Sequence, residues 1–138
     1  MRFEAERWRG VRLLIVEDEY FVAQDLADHF HDLGVDVLGP AGTVADALSL
    51  LRSNEVDCAV LDVNLRGERV YAVADVLREK NVTFVFASGY GSELEPAVYA
   101  DVPRCIKPVD FAVLTKTLAD QIEARRTGTA LMTHVTAE

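Results

Sequence analysis

The stretch Cys58-Ala59-Val60-Leu61-Asp62 decides how this chain folds, because an unbroken apolar run ends in a carboxylate. Four apolar residues without alternation suit a strand covered on both faces, as in a parallel sheet flanked by helices. The same form recurs upstream, where Leu13-Leu14-Ile15-Val16 runs into Glu17-Asp18-Glu19, and downstream, where Cys105-Ile106 runs into Lys107 before Pro108. Strands that deliver charge at the same end describe a site. In an open parallel sheet those ends share one edge, and ligands bind there.

Between the apolar runs the period changes to that of a helix. Val22, Leu26 and Phe30 recur every four residues, Val44, Leu48 and Leu51 mark a second helix, Val70, Val73, Ala74 and Leu77 a third, and Phe111, Leu114, Leu118 and Ile122 the last. Strands are expected over 12–16, 36–39, 57–61, 83–87 and 104–106. A short helix is expected over 94–100, with Pro96 in its first turn. Alternation of strand and helix is the signature of repeated βαβ units. Breakers such as Gly34, Gly39-Pro40, Gly67 and Gly89 separate the elements, and no linker to a second domain is visible. Residues 1–10 read as an N-terminal extension, 11–126 as the folded domain and 127–138 as a C-terminal tail. Trp8, in the extension, either covers an apolar patch of the body or is incidental.

Composition narrows the function classes. The 138 residues suit one domain, half of them apolar and 27% charged, as in a globular protein. A net charge of -9 speaks against a nucleic-acid surface, which needs clustered Lys and Arg. Cys58 and Cys105 lie in apolar runs without metal-ligand spacing and read as buried free thiols. No signal peptide is expected at the charged N-terminus, and no apolar run approaches the roughly 20 residues that span a bilayer, so the expected compartment is the cytoplasm.

The strand ends would bring Glu17, Asp18, Asp62, Ser88 and Lys107 into one cleft. Two carboxylates about 4 Å apart repel by about 4 kcal/mol at an effective dielectric of 20, so a cation or a proton must relieve them. An all-oxygen donor set favours a hard ion such as Mg²⁺. A hard cation, a further carboxylate, a hydroxyl and an ammonium suit phosphoryl transfer, with Asp62 as nucleophile. Each residue also has an ordinary reading: Asp62 and Ser88 as turn residues, the acidic triplet as a favourable charge at a helix start, Lys107 as a surface lysine. Their coincidence at successive strand ends argues for a site.

These residues resemble the receiver domain of two-component response regulators, over about 11–124. The resemblance implies a flavodoxin-like (βα)₅ three-layer sandwich with a five-stranded parallel sheet in the order 2-1-3-4-5. Glu17 and Asp18 match the family's acidic pair, Asp62 its phospho-accepting aspartate, Ser88 its Ser/Thr position and Lys107 its lysine, whose bond to Pro108 is expected to be cis. It further implies that Asp18, Asp62 and the backbone carbonyl of Asn64 hold Mg²⁺, with Glu17 acting through water. The phosphoryl donor would be a sensor histidine kinase or a histidine phosphotransfer protein, and Ser88 and Lys107 would hold the acyl phosphate.

Two departures bear on signalling. Arg104 stands where the family usually has Tyr or Phe, so the usual ring switch cannot operate. Phe86-Ala87-Ser88-Gly89-Tyr90-Gly91 resembles the FATGUY subgroup of short regulators, which makes Tyr90 the candidate switch residue. The expected protein is a single-domain regulator, monomeric or weakly dimeric. It would act on a downstream protein as relay intermediate, phosphate sink or messenger, and not as an enzyme. The alternatives are a pseudo-receiver that binds partners without phosphorylation and a dehalogenase-like phosphatase. The latter needs an Asp where this chain has Asn64. Tyr20, Phe21 and the first helix are candidates for the kinase contact, and His29, His31 and His134 are expected to be ordinary surface.

Overall fold

Strand β1 (Arg12–Val16) is an interior strand of the sheet, with the edge strand β2 (Asp36–Ala41) on one side and the central strand β3 (Cys58–Asp62) on the other. The computed structural model describes residues 6–89 and 96–128. Helix α1 (Tyr20–Asp32) connects β1 to β2, and α2 (Val44–Ser53) connects β2 to β3. A small antiparallel hairpin, β4 (Asn64–Leu65) and β5 (Glu68–Arg69), then leads into α3 (Tyr71–Glu79), β6 (Thr83–Ser88), β7 (Arg104–Ile106) and α4 (Phe111–Thr127). The five long-range strands are all parallel, in the order β2-β1-β3-β6-β7. Counted without the hairpin this is the order 2-1-3-4-5, the expected flavodoxin-like arrangement.

Period-two alternation along the strands builds two cores. Leu14 and Val16 of β1, Ala59 and Leu61 of β3, and Phe84 and Phe86 of β6 face α2 and α3. Leu13 and Ile15, Cys58 and Val60, and Val85 and Ala87 face α1 and α4. Each fully buried aliphatic side chain contributes about 1.5–3 kcal/mol, which is why both faces stay apolar. Trp8 belongs to the second core: it is 2% exposed and packs edge-on against Phe30, with ring centroids 5.7 Å apart. Of its two readings, the cover for an apolar patch holds.

Helix boundaries follow local chemistry. Thr43 caps α2 by accepting the Asp46 N–H at 3.1 Å. Asp110 caps α4 by accepting the N–H groups of Ala112 and Val113, and Gly128 ends that helix at φ 74°. Gly39 is required where it stands: φ is 93°, and a Cβ there would lie 2.9 Å from the Ile15 carbonyl oxygen. It accompanies a register shift between β1 and β2. The Gly39-Pro40 and Lys107-Pro108 bonds are both cis, the second as expected.

Between β6 and β7 the described residues hold only a single 3₁₀ turn, Ala97–Tyr99, directly after Pro96. Residues 90–95, including Tyr90, lie outside the described residues, as do 1–5 and 129–138, including His134. Cys58 and Cys105 are free and buried, and burial pushes both thiols up from their usual pKa. No helix among the described residues is long and apolar enough to cross a membrane.

Candidate functional site

Four strand ends converge at the carboxyl edge of the sheet. Glu17 and Asp18 follow β1, Asp62 is the last residue of β3, Ser88 the last of β6, and Lys107 comes directly after β7. Backbone hydrogen bonds hold these ends in place: the Glu17 N–H donates to the Ala41 carbonyl at 2.8 Å, and the Lys107 N–H to the Ser88 carbonyl at 2.8 Å. The positions are therefore set by the ladder itself rather than by flexible loops.

Lys107 is the hub. Its Nζ lies 2.8 Å from Glu17 Oε1 and 3.1 Å from Asp62 Oδ2. Oδ1 of Asp62 accepts the Asn64 N–H at 3.1 Å. Glu17, Asp18 and Asp62 each offer a carboxylate oxygen within 4.8 Å of the others. Glu17 and Asp62 are buried, whereas Asp18 is partly open and pairs with Arg66 Nε at 3.2 Å. Ser88 is 2% exposed and its hydroxyl has no hydrogen-bond partner among the described residues.

The Lys107 ammonium and the largely exposed Arg66 guanidinium, two cations, do not balance three carboxylates. Burial, reinforced by the negative charge of Asp62 and opposed by the hydrogen bond from Lys107, raises the Glu17 pKa to about 7. Burial alone would lower the Lys107 pKa, but its hydrogen bonds to Glu17 and Asp62 and their charges together raise it. The lysine is therefore a fixed cation. The remaining negative charge, all on oxygen, fits a hard divalent cation. That fit rests on the donor chemistry and on the approach of the three oxygens.

Sequence reasoning named five of these side chains and missed Arg66. The β4–β5 hairpin turns on Arg66 and Gly67, both with positive φ (54° and 91°), as a two-residue turn between antiparallel strands requires. Asn64 Oδ1 accepts the Gly67 N–H at 2.7 Å and pins that turn. Gly67 signalled a break; it gave no sign that the break folds Arg66 back over Asp18.

Tyr99 was missed as well. It is 4% exposed, stacks on Tyr71 with centroids 5.3 Å apart, and meets Phe86 edge-on at 5.7 Å. Its hydroxyl donates to the Asp75 carboxylate, and Arg78 lies over its ring at 5.4 Å. Burial, with the Asp75 hydrogen bond, pushes its pKa up to about 12. Phe86 and Ser88 share a strand face, so this aromatic cluster adjoins the site. Arg104, half-buried, opens β7 opposite Phe86.

His29 corrects an expectation. It is half-buried, lies 2.7 Å from the Thr115 hydroxyl, and packs against Phe30 and Phe111. Burial lowers its pKa, opposed by the charge of Asp32. Thr115 and Phe111 come from α4, far along the chain, so helical periodicity alone placed His29 outside. His31 is exposed.

A five-stranded parallel sheet with this edge defines the receiver domain of response regulators, and the chain belongs to that family. It is 36% identical to SdrG from Sphingomonas melonis Fr1, covering 82% of this chain and 97% of that one with a TM-score of 0.73. A BeF3-activated conformation of SdrG matches with a TM-score of 0.68. A response regulator receiver protein from Sinorhizobium medicae WSM419 is 25% identical, covers 84% of this chain and 97% of that one, and has a TM-score of 0.70. Among curated proteins, the sensory transduction protein LytT of Bacillus anthracis is 30% identical over 112 residues, or 78% of this chain. The chain spans 46% of LytT's length. No protein-family model matches the chain.

Proposed function

We propose that this protein is a single-domain response regulator that accepts a phosphoryl group on Asp62 from a histidine of a sensor kinase or phosphotransfer protein. The observation that carries the reading is Lys107, held between Glu17 and Asp62 beside an unpartnered Ser88 hydroxyl. An Asp62 oxygen attacks the phosphorus; the P–O bond forms as the P–N bond breaks, and the imidazole nitrogen keeps the electron pair. Lys107 faces the charge that develops on the phosphoryl oxygens, and the Ser88 hydroxyl is free to donate to one of them.

Asp18, Asp62 and the Asn64 carbonyl would hold Mg²⁺, with Glu17 acting through water, and the ion would supply neutralisation of the phosphoryl oxygens. That SdrG has a BeF3-activated conformation supports the same chemistry in a relative. A phosphatase would need a second acid at position 64. Here the Asn64 side chain is committed to the hairpin turn, which favours an acceptor over an enzyme that turns over external substrates.

Signalling proceeds through protein contacts, as phosphorelay intermediate, sink or messenger, in the cytoplasm. The added dianion acts first on Ser88 and the FATGUY-type segment that follows it, with Tyr90 as switch residue in place of the missing ring at Arg104. Tyr20 and Phe21, 70% and 78% exposed beside the acidic edge, offer the apolar surface for the kinase.

The decisive experiment is Mg²⁺-dependent labelling by acetyl phosphate or a cognate kinase, in the wild type and in Asp62→Asn. The wild type is expected to acquire an acid-stable, alkali-labile phosphoryl group and the variant none. Equal labelling of both would end this reading.

A further inference from the structure

The opposite edge of the sheet carries a second, unassigned constellation. Arg7 and Arg9 precede β1, Lys80 lies in the turn after α3, and Arg125 and Arg126 lie in the last turn of α4. The fold brings these five cations around one groove of about 540 Å³, within the range of small-molecule sites. In a chain whose acids outnumber its Lys and Arg by 23 to 14, Asp57 is the one acidic residue in the described lining. Its carboxylate already accepts the Arg12 N–H at 2.9 Å.

The cations divide by role. Arg7 pairs with Glu123 at 3.1 Å, and Arg125 is fixed by Thr83 Oγ1 at 3.0 Å and by Asn81. Arg9, Lys80 and Arg126 are exposed and form no ion pair among the described residues. Between them Val11, Val56, Val82 and Ile122 supply an aliphatic surface. Ordinary solvated charges would leave cations of one sign dispersed, or interleaved with acids, on so acidic a protein. Here three unpaired ones border one apolar-floored groove, where the potential focuses on an anion.

We infer that this groove binds a small polyphosphate, such as the phosphate chain of a nucleoside di- or triphosphate. A chain of phosphates can reach cations at separate points on the rim, which a monoanion cannot. The aliphatic floor suits the face of a base and ribose, so a nucleotide should bind more tightly than the bare chain. This site is independent of Asp62 and lies at the opposite, amino edge of the sheet.

The test is calorimetric titration of the whole chain with ATP, GTP, inorganic tripolyphosphate and adenosine, in EDTA so that no metal bridges phosphate to the acidic edge. At about 0.15 M ionic strength we expect saturable one-to-one binding of the triphosphates, weaker binding of tripolyphosphate, none of adenosine, and a shift of the single Trp8 indole N–H resonance near the groove. The combined Arg9→Ala, Lys80→Ala and Arg126→Ala variant should keep its melting temperature and lose at least about tenfold in affinity. Equal affinity for ATP and tripolyphosphate would still support the polyphosphate site and remove the role given to the floor. No saturable binding up to millimolar ligand, unchanged binding by the variant, or equally tight binding of an oligoglutamate peptide would overturn the assignment.

Discussion

The two edges of one sheet carry opposite charge, and they use it differently. At the carboxyl edge Glu17 and Asp62 are buried on either side of Lys107, with contacts of 2.8 and 3.1 Å. At the amino edge Arg9, Lys80 and Arg126 stand in solvent around a groove. A unit charge pair about 4 Å apart is worth about 4 kcal/mol at an effective dielectric of 20, but only about 1 kcal/mol in water. Burial thus makes the first edge suited to chemistry, where protonation and charge neutralisation decide the state. Exposure makes the second suited to reversible, salt-sensitive binding.

The strongest way to break this contrast is to remove the packing near the amino edge. Trp8→Ala is expected to cost about 3–5 kcal/mol in urea unfolding, while the folded fraction still labels on Asp62. Loss of labelling by fully folded variant would show that the edges are not separable. Lys107→Ala attacks the other side: phosphorylation by acetyl phosphate should slow by about a hundredfold, with nucleotide binding at the amino edge unchanged.

Smaller effects sharpen the comparison. Tyr99→Phe should cost about 1 kcal/mol, since the hydroxyl loses its hydrogen bond to a largely exposed Asp75. It should also perturb the Ser88 amide resonance through Phe86, and an unperturbed Ser88 would show that the aromatic cluster does not communicate with the site. The least effect is expected from His29, whose folded pKa lies below its ordinary 6.5. The unfolded chain then binds more protons between the two values, so the histidine's contribution is complete above 6.5 and is lost as pH falls through that window. His29→Gln should flatten the stability profile there, measured by urea titration at stepped pH.

The fold and most of the acidic edge were legible because each candidate site residue lies at or just after the end of an apolar run. Val16 to Glu17, Leu61 to Asp62 and Ile106 to Lys107 are changes visible in one dimension, and the parallel sheet carries them to the same edge. Arg66, Tyr99 and the basic groove depend on distant segments meeting. Nothing near Arg66 names Asp18 as its partner, and the groove draws on four separate segments that share no local pattern. His29 read as surface because α4, which half-covers it, lies far along the chain. The helix expected over 94–100 appears among the described residues only as a 3₁₀ turn, since Pro96 fixes where it can begin.

The borders of the sheet decide how this protein can meet others. β7 is three residues long, and β2 carries Pro40, which has no N–H to donate, beside an irregular register. Neither border offers the long, regular row of unpaired amides on which another strand could add. Both borders therefore disfavour extension of this sheet by a second chain's strand, which leaves the helical faces and the loops at the two edges as the better surfaces for recognition.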